Sequence, residues 1–154
     1  MYLMFGYCSQ LMTIGDVSNW NTSKVTDMSS MFQNCTSLTE LDLSSFSTTN
    51  TVLVGFMFSG CTNLTSINLM NLWIRNDLLD LTTTAYSNIF KNCTNLVELI
   101  FGPYSSSASF VIKNATAIGL PTGTVNGAYR YIRCKTEGAL TPMPSGWKQI
   151  QTYD

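Results

Sequence analysis

The 154-residue sequence contains no histidine, and charged residues make up only 11% of it. The absence of histidine removes the commonest general base, the commonest neutral metal ligand and the usual activator of serine or cysteine nucleophiles. A formal net charge of −1 provides no general attraction to nucleic acid or to anionic lipid. We therefore expect a chain that is not an enzyme, uses no cofactor or metal and binds no nucleic acid.

Long apolar runs are also missing. No stretch approaches the roughly 20 residues needed to span a bilayer, which predicts that the chain does not insert into a membrane. The apolar start, residues 1–12, lacks the basic segment and the small-residue cleavage site of a signal peptide. We therefore expect the chain to stay inside the cell, to be assembled there into a particle, or to be a piece of a longer exported protein.

What the sequence does contain is a repeat built on a Met-Phe or Ile-Phe pair. Cysteine follows three residues after each phenylalanine, leucine three residues after the cysteine, and an aliphatic residue three after that. The cysteines are spaced at intervals of 27, 26 and 32 residues. The positions predicted to form the repeat core are Phe5, Cys8, Phe32, Cys35, Phe58, Cys61, Phe90 and Cys93. Units of this length cannot bury their own apolar face, so we expect them to stack as a solenoid.

The hydrophobic period changes within each unit. The segments "LTELDL" (38–43) and "LTSINL" (64–69) place apolar residues at alternate positions, which predicts strands. The segment "VTDMSSMF" (25–32) has the spacing of a helix face, with Asn21, Thr22 and Ser23 as candidate N-caps. The pattern predicts an α/β solenoid with a parallel sheet on one side and short convex helices on the other. The longest interval holds about six extra residues, which we place in "RNDLLDLTTTAYS" (75–87), as a longer helix or a bulging loop.

The segment "DVSNWNTSKVTDMSSMFQNCTSLTELDLSSF" (16–46) resembles the BspA-type leucine-rich repeat surface proteins. Their units read L-x-L-S-x-W-x-T-S-x-V-T-x-M-x-x-M-F-x-x-C-x-x-L. The resemblance covers roughly residues 4–101, and the third unit departs from it at "LWIRNDLLDLTTTAY" (72–86). It implies a leucine-rich-repeat solenoid that is displayed on microbial surfaces or particles and acts in adhesion or macromolecular binding. It brings no catalytic residues.

The repeated cysteines allow several interpretations. A column of buried free thiols is favoured, because cysteine is a small and readily buried residue. Disulfides between neighbouring units would have poor geometry, since the side chains run parallel. Zinc binding lacks paired cysteines and histidines, and a thiol nucleophile lacks an activating base. Cys134 lies outside the repeat.

The strand pattern also predicts a binding face. If Leu41, Leu43, Ile67, Leu69, Leu99 and Phe101 point inward, the alternate residues point outward on a concave sheet. The candidate binding residues are Glu40, Asp42, Ser66, Asn68, Glu98 and Ile100. Any polar strand face would give the same pattern, and a mildly acidic binding stripe is favoured over paired catalytic carboxylates.

The repeat stops after Phe101, which divides the chain into a repeat region (1–101), a linker or turn (102–109) and a β-rich cap or attachment segment (110–154). We predict strands near Phe110–Lys113, Tyr129–Lys135 and Trp147–Thr152, with a turn at Asn126-Gly127. The segment "YRYIRCK" (129–135) alternates apolar and basic residues. An amphipathic strand is favoured there over a nucleic-acid site.

Two functions are expected: the resemblance implies the first, and the missing signal peptide and the N-terminal end of the solenoid favour the second. The first is a non-enzymatic adhesion or binding module on a microbial cell or particle surface, with a protein or glycan ligand on a host or environmental surface. The alternative is a structural component of a phage virion, such as a tail, fibre or capsid-decorating protein. An uncovered N-terminal end of the solenoid would expose apolar surface and sheet edge, so we expect self-assembly or a virion partner there.

Overall fold

The described part of the chain contains one parallel sheet of five strands. A computed structural model describes residues 1–51, 53–71, 85–102, 108, 111, 113–134 and 140–151. Neighbouring strands in the sheet are consecutive in sequence, and every described pair is parallel. The strands are β1 (Glu40–Asp42), β2 (Ser66–Leu69), β3 (Glu98–Phe101), β4 (Arg130–Cys134) and β5 (Trp147–Gln151).

The alternating sequences form strands because one face of the sheet is buried. Leu41 pairs with Ile67, Ile67 with Leu99, and Leu99 with Ile132, so the inward side chains of β1 to β4 form one buried row. The strands predicted within 38–43, 64–69, 129–135 and 147–152 are therefore confirmed. The turn predicted at Asn126-Gly127 is confirmed as well, since both residues have positive φ and a bridge joins the residues on either side.

The Met-Phe segments are not helices, which corrects the predicted convex helices. Each segment is a run of tight turns, and we call residues 1–8, 28–35, 54–61 and 86–93 the four turn boxes. In the second box, the amides of Met31 and Cys35 donate to carbonyls three residues back within the chain. The amides of Ser30, Phe32 and Asn34 instead donate to carbonyls of the next box, at distances of 2.7–2.9 Å.

Positive φ angles explain why these segments cannot be helical. In every box, the third and seventh of the eight residues adopt left-handed backbone, and we call the five residues from the one to the other the core of the box. A right-handed helix cannot continue through such residues. The pairs are Leu3 and Tyr7, Ser30 and Asn34, Phe56 and Gly60, and Asn88 and Asn92. The predicted N-caps have other roles, since the Asn21 side chain accepts from the Ser23 amide and the Thr22 hydroxyl donates to the Ser47 carbonyl.

A column of aromatic rings fills the space between the turn boxes and the sheet. Phe5, Phe32, Phe58 and Phe90 stack in order, with ring centroids 5.4, 6.0 and 5.6 Å apart and planes within 16° of parallel. The Trp20 ring stacks on Phe5 and on Phe46, and this widens the column near the N-terminal end. The repeat thus places equivalent side chains one above another through the core.

The C-terminal third adds two strands to the same sheet and covers the fourth turn box. The predicted strand near Phe110–Lys113 is wrong, because the described residues there, Val111 and Lys113, are helical. The amides of Asn88 and Phe90 donate to the carbonyls of Ala117 and Ile118, at 2.9 Å each. Segment 114–120 therefore occupies the place of a fifth box. The insertion predicted in 75–87 lies mostly outside the described residues.

Candidate binding face

The outward side chains of the sheet form two rows that cross all five strands. The first row contains Glu40, Ser66, Glu98, Tyr131 and Lys148. The second row contains Asp42, Asn68, Ile100, Arg133 and Ile150. These side chains are exposed or half-buried, whereas their inward neighbours on β1 to β4 are buried. All six residues that the sequence placed on the outward face lie on this surface, which we call the outer face.

Charge changes sign across the outer face. Glu40 and Asp42 are exposed on β1, and Lys148 is exposed on β5. Between them, Arg133 on β4 donates from Nε and Nη2 to Glu98 Oε1, with an Nη2 to Oε1 distance of 2.8 Å. The edge at β1 is therefore acidic, the centre is paired, and the edge at β5 is basic.

Aromatic groups accompany the basic edge. Lys148 Nζ lies 3.7 Å from the centroid of the Tyr129 ring, and that ring is 45% exposed. A cation held over an exposed ring gives a site with both charge and apolar contact area. Tyr131 adds a half-buried ring on the neighbouring row.

The sequence predictions missed the half of the outer face that β4 and β5 supply: Tyr131, Arg133, Lys148 and Ile150. The alternation in "YRYIRCK" (129–135) indicated a strand with one polar face. Nothing in that pattern showed that the strand pairs beside β3. The pattern indicated an amphipathic strand, but it did not indicate the register in which that strand pairs with a neighbour.

Asp42 has a structural role in addition to its exposed position. Its Oδ1 accepts a hydrogen bond of 2.8 Å from the Ser44 amide and closes the turn that follows β1. Asp16 makes the same turn with the Ser18 amide, and this hydrogen bond holds the pKa of the Asp16 carboxyl below its usual value. Both carboxylates line an open cleft between the first unit and β1. Each carboxylate therefore closes a local turn beside this cleft.

The repeated cysteines stabilise the stacking of the boxes. Cys35 Sγ donates to the Phe5 carbonyl at 3.1 Å, and Cys61 Sγ donates to the Phe32 carbonyl at 3.0 Å. Cys93 Sγ bonds to Phe58 in the same way at 3.0 Å. Burial raises the pKa of the Cys35 thiol to about 11 and that of Cys93 to about 12, and it raises the pKa of Cys61 as well. These thiols are kept protonated, which is the opposite of what a nucleophile needs.

Cys8 differs from its equivalents. We placed it in the repeat core, but it is exposed, and its neighbour Phe5 is half-buried. The other three repeated cysteines are buried because the preceding box covers them, and no described residues cover the first box in this way. None of the five cysteines, all of which lie among the described residues, forms a disulfide.

The described residues contain neither a candidate metal-binding cluster nor a candidate membrane-spanning helix. No group of three or more histidine, cysteine, aspartate or glutamate side chains there is placed to hold a metal ion. Among the same residues, no helix is long and apolar enough to cross a membrane.

Comparison with known proteins identifies a family over the first two thirds of the chain. Residues 1–101 match the family model described as "Mycoplasma protein of unknown function, DUF285". The chain belongs to this family. The DUF285 match ends at Phe101, the last residue of β3, so β4 and β5 extend the sheet beyond it. No curated protein and no solved structure matches the chain.

Proposed function

We propose that the chain is a non-enzymatic leucine-rich-repeat solenoid of the BspA type, and that its outer face binds a macromolecule at a microbial cell or particle surface. The single observation that carries this proposal is the continuity of the outer face. Five parallel strands hold two rows of side chains in register across about 19 Å, taking about 4.8 Å per strand.

The composition of the outer face favours a large ligand. Both signs of charge, the exposed ring of Tyr129, the half-buried ring of Tyr131 and the apolar side chains of Ile100 and Ile150 lie on one surface. Sites for small molecules are concave and bury most of the ligand, whereas this surface is an open sheet. A protein or a glycan can contact several strands at once, so we propose one of these as the ligand.

The experiment is a binding screen of the full chain against immobilised surface proteins and a glycan array. Ligands that are retained are then titrated against a double variant of the outer face, Tyr131→Ala with Lys148→Ala. We expect the affinity to fall about tenfold or more, because aromatic and cationic anchors carry much of the energy of an interface. The matched control, Tyr7→Ala with Lys24→Ala, removes an exposed ring and an exposed amine elsewhere.

The control should leave the affinity unchanged. Circular dichroism of both double variants establishes that the fold is kept. Equal loss of affinity in the two double variants, or no loss in the Tyr131 and Lys148 variant, would contradict a binding role for the outer face.

A further inference from the structure

Charge on the outer face is distributed so that the face is complementary to its own copy. Glu40 and Asp42 are exposed on β1 at one edge of the sheet, and Lys148 is exposed on β5 at the other. Between the edges, Glu98 on β3 and Arg133 on β4 neutralise each other through an ion pair of 2.8 Å. The exposed charges at the two edges therefore have opposite signs and lie about 19 Å apart.

This distribution fits a pair of copies that meet through the outer face with their strands parallel, related by a two-fold axis along β3. Such an axis places β1 of one copy over β5 of the other, and β2 over β4. The first row of the outer face would then bring Glu40 opposite Lys148 of the second copy. In the second row, Asn68 would lie opposite Arg133 of the second copy. Symmetry repeats each contact, so both charged edges gain a partner at once.

The centre of this arrangement is apolar or electrically neutral. Ile100 on the central strand would lie opposite Ile100 of the second copy, and Tyr131 would lie opposite Ser66. Glu98 would also face its own equivalent, but Arg133 already neutralises each of these carboxylates. The axis therefore brings no uncompensated charges together.

The other two-fold arrangement of the two faces is disfavoured by charge. An axis across the strands would place each strand over its own equivalent, so that β1 faces β1. Glu40 would then lie opposite Asp42 of the second copy, twice by symmetry, and Lys148 would lie opposite Ile150. Like charges brought together in an interface oppose association. The charge distribution thus favours one orientation of the pair.

We propose that the outer face binds a second copy of this chain, with parallel strands and with Glu40 of each copy beside Lys148 of the other. The proposal rests on the proposed function, since it names a partner for the same binding surface. The contact covers roughly 300 Å² per copy, taking about 4.8 Å per strand and about 3.3 Å per residue. Stable complexes bury about 800 Å² per partner, so a single pair of copies is weak. The contact becomes strong where two surfaces each display many copies, which makes the chain a self-recognising adhesion module.

Charge reversal tests this pairing, because it breaks the contact in each variant alone and restores it in a mixture. Beads are coated with the full chain or with one variant, Glu40→Lys or Lys148→Glu, and their clustering is counted at low salt. Wild-type beads should cluster, and beads with either variant alone should cluster about tenfold less, since like charges would face each other. Beads of the two variants mixed together should cluster as wild type does, because each lysine again faces a carboxylate.

The matched control is Lys24→Glu, which makes the same change in net charge as Lys148→Glu at an exposed lysine outside the strands. Beads with this variant should cluster as wild type does. Circular dichroism of each variant establishes that the fold is kept.

Three results would overturn the proposal. They are wild-type beads that stay dispersed, single variants that cluster as wild type does, and mixed variant beads that stay dispersed. In each case, a ligand from the binding screen that loses affinity for the Tyr131 and Lys148 double variant would still identify the outer face as the binding site of another macromolecule. Failure of self-recognition is therefore distinguishable from failure of the proposed function.

Discussion

At the scale of single residues, the repeated cysteine is explained by a hydrogen bond rather than by reactivity. The carbonyl of Phe32 accepts both the Cys35 amide of its own box and the Cys61 thiol of the next. The Phe58 carbonyl does the same for Cys61 and Cys93. A small apolar side chain with one weak donor suits a buried site that faces a carbonyl, which alanine would leave partly unsatisfied.

Thiol burial predicts a specific loss of stability at alkaline pH. The pKa of Cys93 is raised from 9.0 to about 12 in the folded chain. Above pH 9 the unfolded chain releases this proton while the folded chain keeps it, so the free energy of unfolding falls as the pH rises toward 12. Below pH 9 both states keep the proton, so the contribution of this thiol to the free energy of unfolding is fully present.

The measurement is the urea midpoint at pH 7.5, 9 and 10.5 for wild type and Cys93→Ser. Serine keeps a donor near the Phe58 carbonyl but does not titrate in this range. We expect a shallower fall in the variant, with Cys8→Ser, an exposed site, behaving as wild type. Parallel curves for wild type and Cys93→Ser would show that the buried thiol does not contribute to the alkaline loss.

At the scale of elements, the turn box depends on two left-handed residues. Asparagine or glycine occupies the fifth position of the core in the last three boxes, as Asn34, Gly60 and Asn92. These residues tolerate positive φ better than other residues do. A Cβ at Gly60 would also contact the Asn34 side chain in the preceding box, since it would lie 1.9 Å from Oδ1. This position therefore controls both the local turn and the fit of one box on the next.

Gly60→Ala should destabilise the chain by more than the strain at a single residue. Left-handed backbone costs alanine about 1–2 kcal/mol, and displacement of the Asn34 side chain adds to that. Gly15→Ala is the matched control, because Gly15 has a φ of +69° and a Cβ there would meet nothing within 4 Å. The free energy of unfolding, measured in urea for both variants, separates the cost of left-handed backbone from the cost of the contact with Asn34. Equal losses would mean that the contact with Asn34 relaxes at no cost.

The same element shows why part of the fold could be predicted and part could not. Strand alternation at Leu41 and Ile67 indicates burial directly, so strands β1 to β3 and their order along the sheet follow from the repeat. The spacing of Val25, Met28, Met31 and Phe32 fits a helix, but successive three-residue turns bury the same positions. Asn34 and Gly60, at equivalent sites, carried the missing signal, since neither favours a helix interior. The register of β4 depended on long-range pairing, which no local pattern encodes.

At the scale of the whole molecule, Arg130 connects the C-terminal third to the repeats. Its side chain is buried and, among the described residues, donates only to backbone carbonyls: Nε to Gly123 at 2.9 Å, Nη2 to Thr94 at 3.0 Å, and Nη1 to Leu96. Burial lowers the pKa of this guanidinium, and its carbon lies 6.0 Å from the Trp147 ring centroid. One side chain thus joins the turn before β3 to the loop before β4.

Arg130→Met should destabilise the chain by about 3–5 kcal/mol, because it leaves three carbonyls without their donor in a buried site. Arg133→Met is the control: its ion pair with Glu98 is partly exposed, and its loss should cost no more than about 1 kcal/mol. Amide exchange locates the effect. Protection should fall at Ile132 and its neighbours in β4 and β5 while remaining at Ile67, and uniform loss across both regions would contradict a local connecting role.

The one-way hydrogen bonds between boxes have a mechanical consequence. Both the box amides and the sheet ladders join one repeat to the next, so these bonds lie along the stacking axis. A force pulling the two ends of the stack apart would act on every interface in series, so the weakest interface would yield first and the repeats would separate one at a time. Each released unit of 26 residues would add about 90 Å of extended chain. Such a stack would lengthen in steps under load. Its outermost repeat could then stay attached to a ligand while other repeats separate.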